Sequence, residues 1–193
     1  MLSHDLILDD SLFLIDENTG KHFSRREIFL NAFQLSSKLN EFNEKYFVLK
    51  LDKGVEYFTF ILACGLAGKV AVPYEHKLTE RFFNKKDCVD VTTNMVELLN
   101  QKENLELNYR QSSNVILSLL ESREGFLIVG SSGTVSGGTG IFLGLYQILM
   151  NARDFAEISG CCSGKRLLHT APHTYMAGIF NLFFVPLVSK GVI

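Results

Sequence analysis

The alternation of apolar and polar positions near the start of the chain predicts a β-hairpin followed by a helix. The runs Leu12–Ile15 and Lys21–Phe23 flank a polar loop that ends at Gly20, as in a glycine-ended hairpin. Ser24 and Glu27 have the spacing of a capping box, in which each side chain accepts a hydrogen bond from the other residue's amide. A helix is expected next, because the following apolar positions have helical spacing: Ile28, Ala32, Leu35, Leu39 and Phe42.

Short apolar runs further along the chain alternate with helical patterns. Strands are predicted at Tyr46–Leu51, Val70–Val72 (closed by Pro73), Phe126–Val129 and Arg166–His169, with another beginning after Gly191. Helices are predicted at Val55–Ala67 (closed by Gly68), Asn94–Asn100, Val115–Leu120, Leu143–Ile158 and Ala177–Ser189. This alternation predicts an α/β fold, with a mostly parallel sheet flanked by helices and a small hairpin at the N-terminus.

The length of the chain favours one domain. With 193 residues it is long enough for one domain and slightly short for two. We expect residues 1–23 to form the hairpin and residues 24–193 to form the α/β body. The chain stops where a helix ends and an apolar strand begins, so we expect it to be the N-terminal fragment of a larger domain whose C-terminal elements are absent.

Composition and charge narrow the class of protein. Apolar residues make up 47% and charged residues 21%, as in ordinary soluble globular proteins. The net charge of -2 does not indicate a nucleic-acid-binding protein, which usually carries an excess of positive charge. The longest apolar stretch, near Ile179–Val188, is too short to span a bilayer. The four cysteines have no metal-ligand spacing, and two of them are adjacent, which argues against a disulfide framework. We therefore expect a cytoplasmic protein with no metal site of its own.

The segment Val129–Gly140, VGSSGTVSGGTG, carries the strongest functional signal. It places five glycines, three serines and two threonines directly after a predicted buried strand. Successive amides in such a turn form a concave anion site, and the hydroxyl groups add donors. The spacing matches neither a Walker loop nor a dinucleotide fingerprint nor a nucleophile elbow. From the residues alone, a phosphate-binding loop and a surface connection without a ligand both remain open.

Several motifs together resemble the adenylate-forming superfamily, which includes acyl-CoA synthetases and the adenylation domains of peptide synthetases. Ser131-Ser132-Gly133-Thr134, with Gly140, resembles the family's Thr/Ser-Ser-Gly-Thr-Thr-Gly-x-Pro-Lys-Gly loop. Leu62–Pro73 is similar to the family's LAxLxAGAVAVPL, and Phe23-Ser24 stands where the family has the start of an early helix. Pro172–Gly178 resembles Pro-x-x-His/aromatic-x-x-Gly. The resemblance covers only the first part of the family's large domain.

This resemblance implies an ATP-dependent ligase that activates a carboxylic acid as an acyl adenylate and passes the acyl group to a thiol, on CoA or a carrier protein. ATP and Mg²⁺ are the implied cofactors of the complete enzyme. The implied nucleotide-binding residues are Ser131, Ser132, Gly133, Thr134, Gly137, Gly138, Thr139 and Gly140. The implied substrate-binding residues are His173, Tyr175 and Gly178, with Tyr175 beside the acyl group. No catalytic side chain is assigned in this chain.

The departures from the family pattern weaken the ATP binding that the resemblance implies. Thr139 stands in the position of the family's lysine, and no lysine occurs between Lys102 and Lys165. The family's adenine-binding stretch, the acidic residue that holds ATP and Mg²⁺, and the distal lysine would all lie beyond Ile193. We therefore expect this chain alone to be inactive. A non-catalytic binding or interaction module remains the alternative, and a homodimer is one way to cover the edge of an incomplete sheet.

Overall fold

A mostly parallel sheet organises the fold. The structure is a computed structural model that describes residues 7–16, 19–74, 87–100, 125–130, 140–167 and 171–193. Within these residues the strands of the main sheet are β3 (Tyr46–Leu49), β4 (Val70–Pro73), β5 (Cys88–Val91), β6 (Gly125–Gly130) and β7 (Gly140–Gly144). Their order is β5-β3-β4-β6-β7, and only the β6–β7 pair is antiparallel. The predicted fold class is confirmed.

The N-terminal hairpin and its helix also form as predicted. Strand β1 (Leu12–Asp16) pairs antiparallel with β2 (Lys21–Ser24), and Gly20 takes the positive φ of 68° that ends the loop. Helix α1 (Arg25–Leu39) begins with both hydrogen bonds of the capping box. The amide of Ser24 donates to Glu27 Oε2 over 2.7 Å, and the amide of Glu27 donates to Ser24 Oγ over 3.2 Å.

Helix α2 (Val55–Leu66) is the centre of the core. Nearly every residue of α2 is buried, and the helix packs against α1, β4 and β6. Gly65 sits where a Cβ would lie 3.0 Å from the side chains of Phe126 and Leu145, so only glycine lets β6 approach this closely. An apolar face on every side is typical of a helix enclosed within a core.

Four further helices occur among the described residues. They are α3 (Thr93–Asn100), α4 (Leu145–Ser159), α5 (Met176–Ile179) and α6 (Val185–Ser189), with a π-helical turn at Phe180–Phe184 between α5 and α6. In the described part of the chain, no helix is long and apolar enough to cross a membrane. The prediction of α3 is confirmed, and the helix predicted at Val115–Leu120 lies outside the described residues.

The last helix differs from its prediction. A single helix was expected from Ala177 to Ser189, whereas the structure has the π-helical turn in the middle of this range. The turn ends two residues before Pro186, which has no amide hydrogen and whose ring crowds the carbonyl one turn earlier. A wider turn relieves this conflict. It also lets the adjacent Phe183 and Phe184 both be fully buried, with Phe183 stacked on Phe58 at 4.8 Å between ring centroids.

Two strand predictions also need correction. Of the strand expected at Arg166–His169, the described residues Arg166 and Leu167 show a single parallel bridge, from Arg166 to Val192, and Leu168 and His169 lie outside the described residues. Strand β5 was not predicted at all, because its polar positions interrupt the apolar run. The strand expected after Gly191 does form a pairing, since Ile193 exchanges hydrogen bonds of 2.8 Å with Phe13 and Ile15 of β1.

A buried arginine ties the two ends of the described chain together. Arg25 has no exposed surface, and its guanidinium donates to four backbone carbonyls. Three of them belong to the end of the chain: Leu187 at 3.2 Å, Pro186 at 3.1 Å, and Gly191. The fourth, Leu12 at 3.3 Å, belongs to the hairpin. A fixed planar fork with five N–H groups suits this arrangement, which lysine cannot reproduce.

Asp9 balances the charge of Arg25. Its Oδ2 lies 3.6 Å from Arg25 Nη1 and 3.8 Å from Lys190 Nζ. Ser11 donates to the same carboxylate from its amide over 3.0 Å and from its hydroxyl over 2.8 Å. Burial raises the pKa of Asp9, but the bonds from Ser11 and the charges of Lys190 and Arg25 outweigh burial and hold this pKa below its ordinary value. The Arg25 guanidinium also lies 5.0 Å from the centre of the Phe13 ring.

Arg25→Met should lower the free energy of unfolding by about 3 kcal/mol or more, because it leaves buried carbonyls without their donor and removes the buried cation beside Asp9. Chemical denaturation measures this change. Arg26→Met is the matched control, because Arg26 pairs with Asp10 over 2.8 Å at a site where both side chains are at least 36% exposed. It should cost less than about 1 kcal/mol. Equal effects of the two substitutions would contradict the role assigned to Arg25.

The contribution of Asp9 to stability should depend on pH. Since its folded pKa lies below the unfolded value, its stabilisation is complete above the unfolded pKa and is lost as the pH falls through the folded pKa, below about 4. Unfolding of the wild-type chain and of Asp9→Asn, measured at pH 7 and below pH ~3, should show a difference that shrinks in acid. Asp10→Asn is the exposed control. A difference independent of pH would count against this account.

Candidate functional site

The glycine-rich segment lies between two paired strands. Gly130 ends β6 and Gly140 begins β7, and these two glycines face each other in the antiparallel register. The predicted nucleotide-binding residues Ser131, Ser132, Gly133, Thr134, Gly137, Gly138 and Thr139 lie outside the described residues. The strand that leads into the segment is buried from Phe126 to Val129. Both ends of the segment are therefore held at the carboxyl end of a buried parallel strand, where open α/β sheets bind ligands.

This arrangement corrects one expectation about the segment. It was predicted to connect a strand to a helix starting near Leu143, but strand β7 comes first and α4 begins at Leu145. Residues Gly140 to Gly144 can pair with β6 because Gly140 has no side chain, and a Cβ there would lie 3.2 Å from Ile128 Cγ2. The apolar run Ile141–Leu143 has high β propensity and no helix-capping residue before it. The segment is thus the connection of a β-hairpin.

The second predicted element, Pro172–Gly178, is fixed to the core by Tyr57 of α2. The Tyr57 hydroxyl donates to the carbonyl of His173 over 3.0 Å, and the two rings meet edge to face at 4.6 Å between centroids. Burial raises the pKa of Tyr57, so its hydroxyl stays protonated and remains a donor. His173 Nε2 lies 3.2 Å from the carbonyl of Leu51, so this nitrogen carries the proton. The histidine is thereby bonded at both its ring and its backbone.

Gly178 is required by the close approach of this loop to its own helix. A Cβ on Gly178 would lie 2.0 Å from the carbonyl oxygen of Pro172, which is far inside any real contact. The amide of Tyr175 donates to the same carbonyl over 3.2 Å. The spacing from Pro172 to Gly178 therefore describes a compact turn that closes on the first residues of α5.

Tyr175 is the exposed member of this loop. It precedes α5, and 41% of its surface is accessible. Its backbone is held on both sides, because its carbonyl also accepts from the amide of Ile179 over 3.0 Å. An aromatic side chain with this exposure on a fixed backbone can border a small-molecule site.

The two predicted elements share one scaffold. Strand β7 continues directly into α4, and α4 packs against the π-helical turn and α6, which follow Tyr175 in the chain. Phe155 of α4 meets Phe180 edge to face at 5.8 Å between ring centroids, and Phe126 of β6 meets Phe184 at 6.2 Å. In the described part of the chain, no group of three or more His, Cys, Asp or Glu side chains is placed to hold a metal ion.

Tyr57 is the site residue that the sequence did not reveal. It lies in a helix whose other residues are almost all apolar, and this pattern predicts the helix without assigning a role to one tyrosine. A tyrosine in such a helix needs a hydrogen-bond partner for its hydroxyl, and that need was the available signal. The partner, a backbone carbonyl 116 positions away, could not be read from the sequence.

Comparison with known proteins gives a match in structure but not in sequence. No protein-family model and no curated protein matches the chain. Among solved structures, the O-succinylbenzoate coenzyme A synthetase MenE from Bacillus subtilis in complex with AMP is 18% identical, with a TM-score of 0.69, over 96% of this chain and 52% of that chain. The same enzyme with ATP and magnesium ion gives 17% identity, a TM-score of 0.69, and 96% and 54% coverage.

A second similar protein is ATP-bound MatB from Rhodopseudomonas palustris. It is 13% identical, with a TM-score of 0.68, over 99% of this chain and 44% of that chain. The chain therefore spans about half the length of the solved structures it matches. It has the fold of the N-terminal part of adenylate-forming synthetases, as the sequence motifs predicted.

Tyr57→Phe should loosen the loop that carries Tyr175. The substitution removes the donor to His173 at almost unchanged volume, and should cost about 1 kcal/mol of stability. Hydrogen exchange at the amide of Tyr175 should accelerate more than exchange in β4. Ser37→Ala, which removes an exposed hydroxyl from α1, is the control and should leave this amide unchanged. Unaltered exchange at Tyr175 in Tyr57→Phe would refute the proposed attachment.

Proposed function

We propose that this chain is the N-terminal part of an ATP-dependent ligase that activates a carboxylic acid as an acyl adenylate and transfers the acyl group to a thiol, on CoA or a carrier protein. The observation that carries the proposal is the glycine-rich segment at the end of β6, in a fold shared with synthetases solved with AMP or ATP. The complete protein would be an acid–thiol ligase that forms AMP.

In this proposal the glycine-rich segment binds the ATP phosphates. Ser131, Ser132, Gly133 and Thr134 would donate amides and hydroxyl groups to the β- and γ-phosphates. Gly137, Gly138, Thr139 and Gly140 would supply backbone that can approach the nucleotide closely. The flanking structure fits this role, because Gly130 and Gly140 are paired where a side chain on Gly140 would press on Ile128. Mg²⁺ bound with ATP would neutralise phosphate charge, and we assign it no ligand in this chain.

The acyl side of the reaction would use the Pro172–Gly178 loop. Tyr175 would border the acyl group, and His173 and Gly178 would shape and hold the loop behind it. The substrate carboxylate is itself the nucleophile, so the protein contributes position and charge rather than an attacking side chain. The attachment of the loop through Tyr57 supports this role, because positioning demands a rigid backbone.

We further propose that the 193 residues alone do not complete the reaction. About half of each matched structure has no counterpart in this chain. Within the described residues β7 pairs only with β6, and its Ile141 and Phe142 are 46% and 56% exposed. Pairing of this edge in a homodimer would cover it.

All four cysteines are free thiols, which suits a reducing cytoplasm.

One observation favours a second candidate function, a non-catalytic module that binds another molecule or protein. Thr139 occupies the position of the family's lysine, and no lysine occurs between Lys102 and Lys165. Loss of a charge-assisted hydrogen bond removes about 1.5–3 kcal/mol of binding. Without this cation, the loop would stabilise less well the negative charge that develops on the leaving pyrophosphate.

Calorimetric titration of the complete protein with ATP and Mg²⁺ separates the two functions. For a ligase domain we expect saturable binding that becomes about tenfold or more tighter in Thr139→Lys, because the restored cation adds a charge-assisted bond. Ser163→Lys adds the same charge on an exposed turn and is the control. Absence of binding in both the complete protein and its Thr139→Lys variant would favour the non-catalytic module.

Carboxylate-dependent exchange of pyrophosphate into ATP tests the incompleteness of the chain. The purified 193 residues should give no exchange above background with any of a panel of aliphatic and aromatic acids. Exchange by the isolated chain would overturn this part of the proposal, although it would support the ligase itself.

A further inference from the structure

The two edges of the main sheet carry different side chains. Strand β5, at one edge, follows Asp87 and contains Asp90, whose exposed carboxylate pairs with Lys50 Nζ over 2.6 Å. Strand β7, at the other edge of the described sheet, has the sequence Gly-Ile-Phe-Leu-Gly, which contains no charge and no proline. Proteins commonly place charged residues or prolines on an edge strand to prevent its pairing with another chain. Strand β7 has neither of these, so it is the edge that favours such pairing.

Both faces of β7 expose apolar side chains. Ile141 is 46% exposed and Phe142 is 56% exposed, and among the described residues β7 pairs only with β6. Directly opposed residues in a sheet point to the same face, so Phe142 lies on the face of Ile128 and Ile141 lies on the face of Val129. Ile128 and Val129 are buried, so both faces are apolar close to this edge. A further strand beside β7 would shield both exposed side chains from water.

The sequence of β7 is nearly the same in both directions. If two copies of the strand pair antiparallel about a two-fold axis at Phe142, then Gly140 lies opposite Gly144, Ile141 lies opposite Leu143, and Phe142 lies opposite its own copy. The members of each pair match in size, because isoleucine and leucine are isomers. The two Phe142 rings would lie side by side on one face, and aromatic pairs of this kind are favourable. The strand is therefore complementary to itself.

The backbone groups of β7 can also pair in this register. In an edge strand, alternate residues direct their amide and carbonyl groups towards the neighbouring strand, and the others direct them outwards. If the outward set includes Phe142, then Phe142 bonds with its own copy and Gly140 bonds with Gly144. If the outward set includes Ile141, then Ile141 bonds with Leu143. About four to six hydrogen bonds form across the axis in either case.

The sequence around β7 avoids repulsion between two copies. A charged group near a two-fold axis comes close to its own copy, so like charges oppose a symmetric interface. No charged residue occurs from Gly125 to Ala152, a range that includes β6, β7 and the first half of α4. Two copies can therefore meet at β7 without bringing like charges from these elements together.

We propose that β7 is a dimerisation strand, which pairs antiparallel with β7 of a second copy of this chain in the register centred on Phe142. The pairing joins the two five-stranded sheets into one continuous sheet. Two strands of five residues bury less than the roughly 1,200 Å² of a standard interface, so the dimer is weak and its population depends on concentration. The proposal rests on the edge strand alone and not on ATP binding or ligase activity.

Sedimentation velocity of the 193-residue chain without nucleotide tests dimerisation. We expect a change from monomer to dimer between about 10 µM and about 1 mM. Phe142→Lys should weaken the dimer about tenfold or more, because it places two like charges side by side at the axis. Ile158→Lys is the matched control, since Ile158 is 87% exposed on α4, and it should dimerise like the wild type.

Two outcomes of this experiment would overturn the proposal. One is a wild-type chain that stays monomeric at about 1 mM, in which case the edge belongs to a different partner. The other is equal weakening of the dimer by Phe142→Lys and Ile158→Lys, which would place the interface elsewhere.

Mixtures of variants test the register. Phe142→Lys and Phe142→Glu should each be mainly monomeric alone, whereas their equimolar mixture should associate about tenfold or more tightly, because opposite charges then meet across the axis. A mixture of Ile158→Lys and Ile158→Glu should show no such gain. Failure of the two folded Phe142 variants to associate would refute the register centred on Phe142.

The wild-type dimer gives an independent measure of the same register. In a mixture of isotope-labelled and unlabelled chains, intermolecular nuclear Overhauser effects should connect Ile141 of one copy with Leu143 of the other, because opposed side chains lie about 5 Å apart. A wild-type dimer without these contacts would contradict the proposed pairing of β7.

Discussion

The guanidinium of Arg25 is the interaction on which the rest of the described structure depends. It joins the hairpin at Leu12 to the carbonyls of Pro186 and Leu187, which are more than 160 positions away in the chain. No apolar contact could satisfy these carbonyls, and the turn at the end of α6 would otherwise bury them unbonded. The charge is tolerated only because Asp9 lies beside it. The hairpin, α1 and the last helix therefore form one unit.

The candidate site is built on the same unit. The π-helical turn packs Phe183 against Phe58 of α2 and Phe13 of β1, so the segment after Tyr175 is held by the core. Helix α2 then serves two neighbours at once. Tyr57 holds the Pro172–Gly178 loop, and Gly65 admits β6, the strand that leads into the glycine-rich segment. A rigid helix of this kind can position groups from distant parts of the sequence.

Local signals in the sequence predicted much of this fold. The capping box at Ser24, the glycine at position 20 and the continuous apolar runs of β3 and β6 depend on neighbouring residues, so they could be read directly. Features that depend on distant residues could not. Strand β7 forms because β6 offers a partner edge, and the carbonyls that bind Arg25 lie more than 160 positions further along the chain. The Pro172–Gly178 spacing was recognised by resemblance, but its attachment to Tyr57 required the structure.

The π-helical turn has a consequence for the phase of the last helix. A turn with one extra residue rotates everything after it by about 100° relative to a regular α-helix. The carbonyls of Pro186 and Leu187 accept hydrogen bonds from Arg25 with this rotation included. If the same residues were wound as a regular α-helix, those carbonyls would turn away from the guanidinium by about that angle. The irregular turn is thus an inserted residue that keeps the two ends of the described chain in phase.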